Sequence, residues 1–151
     1  ARLPMAGAGP PWHHARMIAI GKLAPEDRPA WQELFAGYNA FYGRAGETAL
    51  PDFVTQTTWQ RFFDEHEPVY AMVAERDGAL LGIVHFLFHR STTQVQMTCY
   101  LQDLFTAQAA RGQGVGRALI EAVYQRAAEA GLPRVYWQTH ETNTTAMKPG
   151  H

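Results

Sequence analysis

Three glycines at alternate positions, Gly112, Gly114 and Gly116, open an apolar-periodic segment that stops near Gly131. Glycine weakens a helix by about 1 kcal/mol relative to alanine, so this spacing indicates that the backbone itself is needed at the helix start. The N–H groups and dipole of a first helical turn favour an anion, and glycine lets phosphate oxygens approach with no Cβ between. The segment therefore predicts a site for a phosphate or a pyrophosphate.

The glycine spacing alone leaves other interpretations open. A dinucleotide fingerprint has G-x-G-x-x-G after the first strand, whereas this chain has G-x-G-x-G after its fourth predicted strand. A Walker loop needs G-K-[ST], and Arg117-Ala118 stand in that place. A glycine-rich turn that only tightens a strand–helix junction is an equal alternative.

Hydrophobic periodicity predicts one α/β domain over residues 17–147. Aromatic and leucine side chains recur at helical spacing from Trp31 to Tyr42, and Thr57 with Gln60 has the spacing of a capping box for a second helix. Asp77-Gly78 between two apolar runs predicts a hairpin. A first strand at residues 17–21 precedes these elements, and a fourth strand, a helix, a fifth strand and a helix start complete the order.

Composition narrows the function classes. The chain has 151 residues, is 46% hydrophobic and 18% charged, and carries a net charge of −1. That balance fits one globular domain and argues against nucleic acid or an anionic membrane as the main partner. The single cysteine, Cys99, excludes an intrachain disulfide and fits a reducing compartment, so we expect a cytoplasmic protein.

Residues 1–16 are rich in Ala, Gly and Pro, and we interpret them as a disordered leader or a cloning remnant. The domain then spans residues 17–147, with a tail at residues 148–151. His13-His14 have no other ligand nearby, so no metal site is predicted.

The stretch YLQDLFTAQAARGQGVGRALIEAV resembles the central motif of the GNAT superfamily, the general N-acetyltransferases. Arg111, Gly114 and Gly116 match its R/Q-x-x-G-x-G/A signature, and Asn143 with Ala146 match the family's later Asn-x-x-Ala. The resemblance implies a mixed, mostly antiparallel sheet whose fourth and fifth strands splay apart between flanking helices. YLQDLF further resembles the YLED strand of polyamine and related amine acetyltransferases.

The resemblance implies that acetyl-CoA lies in the V between the splayed strands and gives its acetyl group to a primary amine. The pyrophosphate would bind the glycine loop, and the pantetheine arm would pair with strand backbone. A bulge in that strand would aim an N–H group at the thioester oxygen. The implied cofactor residues are Leu104, Phe105, Thr106, Arg111, Gly112, Gln113, Gly114, Val115, Gly116, Arg117 and Asn143.

Amine acetylation needs a base. An alkyl amine has a pKa of about 10.4, so removing its proton at pH 7 costs roughly 4.6 kcal/mol. Asp103, beside the strand that would hold the thioester, is the predicted base and acceptor ligand, with a capping or ion-pair role as the alternative. Gln102 stands where the amine enzymes have Glu, which removes one charge from the acceptor site. Tyr38 and Tyr42 are predicted to line the pocket, with core packing as the alternative.

Three other residues could carry chemistry but are assigned structural roles. Cys99 would share the strand face of Asp103 if no bulge intervenes, and a buried apolar role is favoured over a catalytic thiol. His85 and His89 have one-face strand spacing, yet no third metal ligand is evident, so core or rim positions are expected.

The family's sequences continue past Asn-x-x-Ala to a tyrosine that serves as general acid and then to two last strands, whereas this sequence reads AMKPGH. We therefore expect the last strands to be missing, and a homodimer to form through the open edge of the strand at residues 134–140. The predicted function is acetyl transfer to a polyamine-like or protein amine. The alternative is a CoA-binding sensor module with weak catalysis.

Overall fold

The sheet contains six strands that lie side by side in the order of the chain. Neighbouring strands are antiparallel except for the last pair, which is parallel, so the predicted mixed and mostly antiparallel sheet is confirmed. The computed structural model describes residues 2–4 and 17–138, and Asn143 with the helix start predicted beside it lies outside them. The strands are β1 (Leu3–Pro4), β2 (Ala19–Lys22), β3 (Val69–Arg76), β4 (Ala79–His89), β5 (Thr98–Thr106) and β6 (Val135–Tyr136), and the helices are α1 (Arg28–Phe41), α2 (Asp52–Phe62) and α3 (Val115–Glu129).

Helices α1 and α2 cover one face of the sheet with aromatic side chains. Trp31 and Phe35 of α1 and Trp59 of α2 are buried against Val73 of β3 and Ile83 of β4. The helical spacing of the aromatic residues predicted this buried face of α1. Each large apolar side chain buried in this way contributes about 1.5–3 kcal/mol to the free energy of unfolding.

The capping box predicted for the second helix is wrong. Helix α2 begins at Asp52, directly after Pro51, and both Thr57 and Gln60 lie inside the helix. A proline at the boundary restricts the backbone before the first turn, and an acidic residue in that turn suits the positive helix end. These local signals outweigh the capping-box spacing.

Helix α3 covers the opposite face of the sheet. Val115, Leu119 and Val123 recur every fourth residue, and all three are buried against a core that includes Val84 and Cys99. This apolar stripe anchors the N-terminus of α3 next to the sheet, which matters for the glycine loop that precedes it. None of the helices in the described ranges is both long and apolar enough to cross a membrane.

The predicted hairpin between β3 and β4 is confirmed. Asp77 has a φ of 51° and Gly78 a φ of 82°, so both central residues of the turn are left-handed. Such turns match the right-handed twist of the strands that they join, which is why Asp-Gly is a strong hairpin signal.

A β-bulge interrupts the pairing of β4 with β5. His85 pairs with Asp103 while the next residue, Phe86, pairs with Leu101, so Gln102 is the extra residue. Beyond the bulge the alternation of side chains is reversed, because one inserted residue shifts every later side chain to the other face. Asp103 therefore lies on the α1 side of the sheet, whereas Leu101 belongs to the α3 core.

Strands β5 and β6 separate soon after they meet. Their pairing consists of Cys99 with Val135 and Tyr100 with Tyr136. From the bulge to Thr106, β5 has no strand partner on its β6 side among the described residues. The predicted splay therefore begins next to the bulge.

Residues 2–4 differ from the disordered leader predicted for residues 1–16. Leu3 and Pro4 pair antiparallel with β2 and form one edge of the sheet. The Arg2 guanidinium forms ion pairs with Asp27 and, at 3.0 Å, with Glu75. Composition could not reveal these carboxylate partners, because they come together only in the folded chain.

Gly82 provides a test of the packing between β4 and α3. A Cβ at Gly82 would lie 2.8 Å from Val115 Cγ1 and 3.1 Å from the Phe105 carbonyl oxygen. We expect Gly82→Ala to lower the free energy of unfolding by about 1–3 kcal/mol, the usual cost of overpacking a core. Chemical denaturation measures the change. Gly116→Ala is the control, since its Cβ would meet nothing closer than 3.8 Å, and equal stabilities for the two variants would contradict the packing.

Candidate active site

The bulge opens onto a cleft of about 1570 Å³ between the two N-terminal helices and the diverging ends of β5 and β6. Single-ligand pockets usually measure about 300–1,000 Å³, so this cleft has room for two substrates. The predicted site residues that line it are Tyr38, Tyr42, Gln102, Asp103, Leu104, Gly116 and Arg117.

Asp103 is the carboxylate of the cleft wall beside the bulge. Its side chain is 14% exposed, and its Oδ2 lies 2.8 Å from His85 Nδ1. The buried edge of the carboxylate is therefore held by an imidazole, while the residue still lines the cleft. An aspartate placed in this way can bind a cationic amine and accept a proton from it.

His85 has a defined tautomer because Trp31 occupies its other ring nitrogen. The Trp31 indole N–H, which can only donate, lies 2.9 Å from His85 Nε2. Nε2 must therefore be the acceptor, and the ring proton of the neutral imidazole resides on Nδ1. His85 then donates that proton to Asp103. Trp31 is fully buried and His85 is 3% exposed, so water does not compete for these bonds.

Tyr38 approaches the same carboxylate from α1. Burial raises the pKa of its phenol, and the negative charge of Asp103 together with a hydrogen bond to that carboxylate raises it further. The phenol therefore stays protonated throughout the physiological pH range and acts as a donor. Asp103 is held by two donors from two different elements.

The glycine loop adopts the backbone geometry of an anion site. Gly112 and Gly114 have φ values of 79° and 82°, and Gly114 is the N-cap of α3. The first intrahelical bond runs from the Ala118 N–H to the Gly114 carbonyl at 3.0 Å. The N–H groups of residues 115–117 precede that bond and so have no intrahelical partner. These donors and the positive end of the helix dipole fit a pyrophosphate.

The other predicted cofactor residues among the described residues lie in or beside this loop and do not line the cleft. The Arg111 guanidinium lies 6.0 Å from the Phe105 ring centroid, and the Gln113 side chain accepts a hydrogen bond from Arg76 at 2.7 Å. Thr106 Oγ1 would lie 3.8 Å from a Cβ at Gly116, which places the end of β5 beside the first turn of α3.

Tyr42 and Arg44 extend the cleft beyond Tyr38. The two tyrosine rings lie 5.0 Å apart, and the Arg44 guanidinium lies 5.8 Å from the Tyr38 centroid and 5.9 Å from the Tyr42 centroid. Arg44 Nε donates to Asn39 Oδ1 at 2.8 Å, which fixes the cation at the end of α1. Sequence reasoning missed Arg44, since one arginine in a glycine-containing loop carries no motif.

Cys99 is excluded from the chemistry. It is fully buried in the α3 core, and burial raises the pKa of its thiol to about 12. The reactive thiolate is therefore not populated at neutral pH. The predicted apolar role is confirmed, and the bulge separates its strand face from that of Asp103.

The two histidines also follow the predicted core and rim positions. His85 is buried, while His89 Nε2 lies 2.7 Å from the Tyr136 hydroxyl near the point where β5 and β6 separate. The pairing of His85 with Asp103 was missed because it depends on hairpin register and on the bulge, neither of which is a sequence motif. No group of three or more acidic, His or Cys side chains suitable for a metal occurs within residues 2–4 and 17–138.

Residues 31–148 match the profile of the acetyltransferase (GNAT) family. The chain belongs to this family. It is 37% identical over 132 residues to a D-amino-acid N-acetyltransferase of Saccharomyces cerevisiae, which covers 86% of this chain and 80% of that protein. It is 26% identical to an uncharacterized N-acetyltransferase of Bacillus subtilis, over 84% and 82% of the respective lengths.

Solved GNAT structures share the fold at lower identity. A probable acetyltransferase aligns with a TM-score of 0.73 and 24% identity, over 84% of this chain and 82% of that one. An aminoglycoside N-acetyltransferase in complex with CoA aligns with a TM-score of 0.69 and 17% identity, over 85% and 81%. The predictions of a GNAT acetyltransferase and of acetyl-CoA as its acyl donor are confirmed.

Gly116→Asp tests the anion site without damaging the fold. The space around Gly116 accepts a Cβ, and an acidic residue in the first helical turn stabilises a helix by about 0.3–1 kcal/mol. Its carboxylate would occupy the N–H groups that the pyrophosphate needs. We expect unchanged or higher thermal stability together with CoA binding weakened by about tenfold or more in calorimetry.

The uncharged Gly116→Ala variant is the matched control for that measurement. It adds the same Cβ without the charge, so it separates steric exclusion from electrostatic competition. Wild-type affinity for CoA in Gly116→Asp would show that the pyrophosphate binds elsewhere.

Proposed function

We propose that this N-acetyltransferase acts on the primary amine of a small acceptor that also carries a carboxylate, an acceptor of the amino-acid class. One observation carries the proposal: Asp103 and Arg44 lie against the same tyrosine, Tyr38, in one cleft. A carboxylate and a guanidinium so placed match the ammonium and carboxylate groups of a zwitterion.

Asp103 takes the amine end of the acceptor. A primary ammonium next to the Asp103 carboxylate is attracted by its charge, and the same group can accept the proton that the amine must lose. The donors His85 and Tyr38 fix the carboxylate before the acceptor arrives, so little reorganisation is needed during the reaction.

Arg44 takes the carboxylate end. Asn39 holds only its Nε, so the terminal nitrogens of the guanidinium have no acceptor in the described part of the chain. The two other arginines of the cleft are already paired, Arg61 with Glu67 at 3.1 Å and Arg117 with Glu121 at 3.8 Å. The identity of 37% to a D-amino-acid N-acetyltransferase supports an amino-acid acceptor independently.

A polyamine fits the cleft less well. Gln102 is neutral where a second carboxylate would help to bind a polycation, and the lining contains three arginines, Arg44, Arg61 and Arg117, against the two carboxylates of Asp103 and Glu121. A wall with more cations than anions repels a di- or triamine more strongly than it repels a zwitterion. The amino-acid class therefore replaces the polyamine-like acceptor that the sequence suggested. A cytoplasmic location and a homodimer remain predictions.

Acetyl-CoA supplies the activated acetyl group as a thioester. The N–H groups of residues 115–117 would hold its pyrophosphate, and the unpaired edge of β5 near Leu104 would pair with its pantetheine arm. Leu104 lines the cleft next to Asp103, so the acyl donor and the acceptor amine meet at the bulge.

An acceptor panel tests the proposed function. Release of CoA thiol is measured with D- and L-amino acids, with the corresponding amino-acid amides, with spermidine and with an aminoglycoside. We expect turnover with amino acids and markedly weaker turnover with their amides. Preference for spermidine would overturn the amino-acid class, and tight CoA binding without turnover on any amine would favour the sensor module.

Asp103→Asn tests the role of the carboxylate. The amide keeps the size of the side chain but neither attracts the ammonium nor accepts its proton. We expect kcat to fall about a hundredfold, within the range that one general base supplies, while CoA affinity stays within about twofold. Steady-state kinetics and calorimetry make the comparison.

Glu121→Gln is the matched control for Asp103→Asn. Glu121 is a second carboxylate of the same cleft, exposed on α3 and 3.8 Å from Arg117. Its loss should change kcat little. An equal fall of kcat in both variants would show that Asp103 has only a structural role.

Arg44→Gln tests the carboxylate contact. Removing a charge-assisted hydrogen bond costs about 1.5–3 kcal/mol, so KM for an amino acid should rise about tenfold to a hundredfold. The KM for the corresponding amide, which lacks the charge, should hardly change. An identical rise for both acceptors would show that Arg44 supports the cleft wall instead of reading a carboxylate.

A further inference from the structure

Three side chains from three elements form a directed chain of hydrogen bonds that ends at Asp103. Trp31 of α1 donates to His85 of β4 at 2.9 Å, and His85 donates to the Asp103 carboxylate of β5 at 2.8 Å. Every donor and acceptor is assigned by the chemistry of the indole, which has no lone pair to offer. The chain therefore has one possible direction while Trp31 keeps its bond.

We propose that Trp31 is a positioning residue of the acetyl transfer, which holds His85 as the neutral Nδ1–H tautomer so that Asp103 keeps a fixed orientation and an uncompensated negative charge. The proposal rests on the proposed function in one respect, the assignment of Asp103 to the acceptor amine. Trp31 acts through His85 and does not line the cleft.

The imidazole cannot take a second proton without breaking this arrangement. A proton on Nε2 would face the indole N–H directly, since both groups would then be donors. An imidazolium would also form an ion pair with Asp103 and neutralise the charge that attracts the acceptor. The bond from Trp31 thus opposes that ion pair and leaves the charge of Asp103 available to the acceptor.

Aromatic and small apolar side chains surround the rest of the His85 ring. Phe35 of α1 and Phe62 of α2 place their rings 5.1 and 4.8 Å from the imidazole, and the strand neighbour in β3 is Ala71. The ionisable groups on this side are Asp103, which contacts the ring, and the Tyr38 phenol beyond it. The Arg44 guanidinium lies 5.8 Å from the Tyr38 ring centroid, and Arg61 lies on the cleft rim.

The neighbouring Trp59 shows that the hydrogen bond from Trp31 to His85 is specific to Trp31 and is not shared by every tryptophan of this core. Its ring lies 5.1 Å from that of Trp31 and is 7% exposed, yet its indole N–H has no acceptor among the described residues. Trp31→Phe and Trp59→Phe therefore remove the same indole from the same core, but only Trp31→Phe removes a hydrogen bond to His85.

The first measurement reads the tautomer without any substrate. Two-bond ¹H–¹⁵N correlation spectra of histidine-labelled protein are recorded at pH 8, with His85→Gln to assign the signal. We expect wild-type His85 to be a single Nδ1–H tautomer, and Trp31→Phe to show a mixture of the two neutral tautomers. An Nε2–H ring in the wild-type protein overturns the proposal, even if Trp31→Phe does not fold.

The second measurement reads the consequence for catalysis. We expect Trp31→Phe to lower kcat about tenfold at pH 8 and to lose further activity as pH falls to 6, with CoA affinity unchanged. Trp59→Phe should keep the wild-type pH profile. Equal pH profiles for the two variants would show that Trp31 contributes only to core packing.

The two arms also separate this inference from the proposed function. If the acceptor is not an amino acid, the acceptor panel will show it. The tautomer of His85 and the pH profiles measured with the true acceptor will still be as expected. If the tautomer is wrong, the spectra show it whatever the acceptor.

Discussion

The β-bulge at Gln102 is the constraint on which the site depends. If Gln102 were paired in a regular ladder, Asp103 would share the strand face of Cys99 and Leu101 and would point into the apolar core beneath α3. An unpaired carboxylate in such a core costs several kcal/mol, so the bulge resolves a conflict between the charge and the sheet. The same bulge lies next to the last β5–β6 pair. It therefore turns the Asp103 side chain toward the cleft at the place where the two strands separate and the cleft opens.

The glycine loop depends on a different constraint, the close approach of α3 to the sheet. Gly82 leaves no room for a side chain against Val115 and Leu119, and these two residues fix the helix start over the ends of β4 and β5. A helix held in this place presents unpaired N–H groups at the edge of the cleft. The packing of Val115 against Gly82 therefore serves both stability and ligand binding. Val115 fills the core, and it also belongs to the first turn of α3, whose N–H groups have no intrahelical partner.

Local signals in the sequence predicted most of the fold, including the glycine loop before α3. The aromatic period of α1, the Asp77-Gly78 turn and the glycines before α3 each act within a few residues, so their structure could be predicted. Contacts between distant residues could not be. The bond from Trp31 to His85 joins residues 54 positions apart, and the pair of His85 with Asp103 requires both the hairpin register and the bulge. The helix start misplaced at Thr57 failed for a local reason, since Pro51 provides a stronger boundary.

The aromatic shell around His85 gives the site a further physical property. In water, moving a proton from an alkyl ammonium to an aspartate costs about 9 kcal/mol, because their pKa values differ by about 6.5. The charge of the carboxylate must therefore stay available, since it both attracts the ammonium and receives its proton. Phe35 and Phe62 pack on the imidazole of His85, which in turn covers the buried edge of the Asp103 carboxylate. A cationic histidine would compensate that carboxylate charge. The neutral tautomer and the aromatic packing that holds the imidazole therefore both keep the charge of Asp103 directed at the acceptor amine.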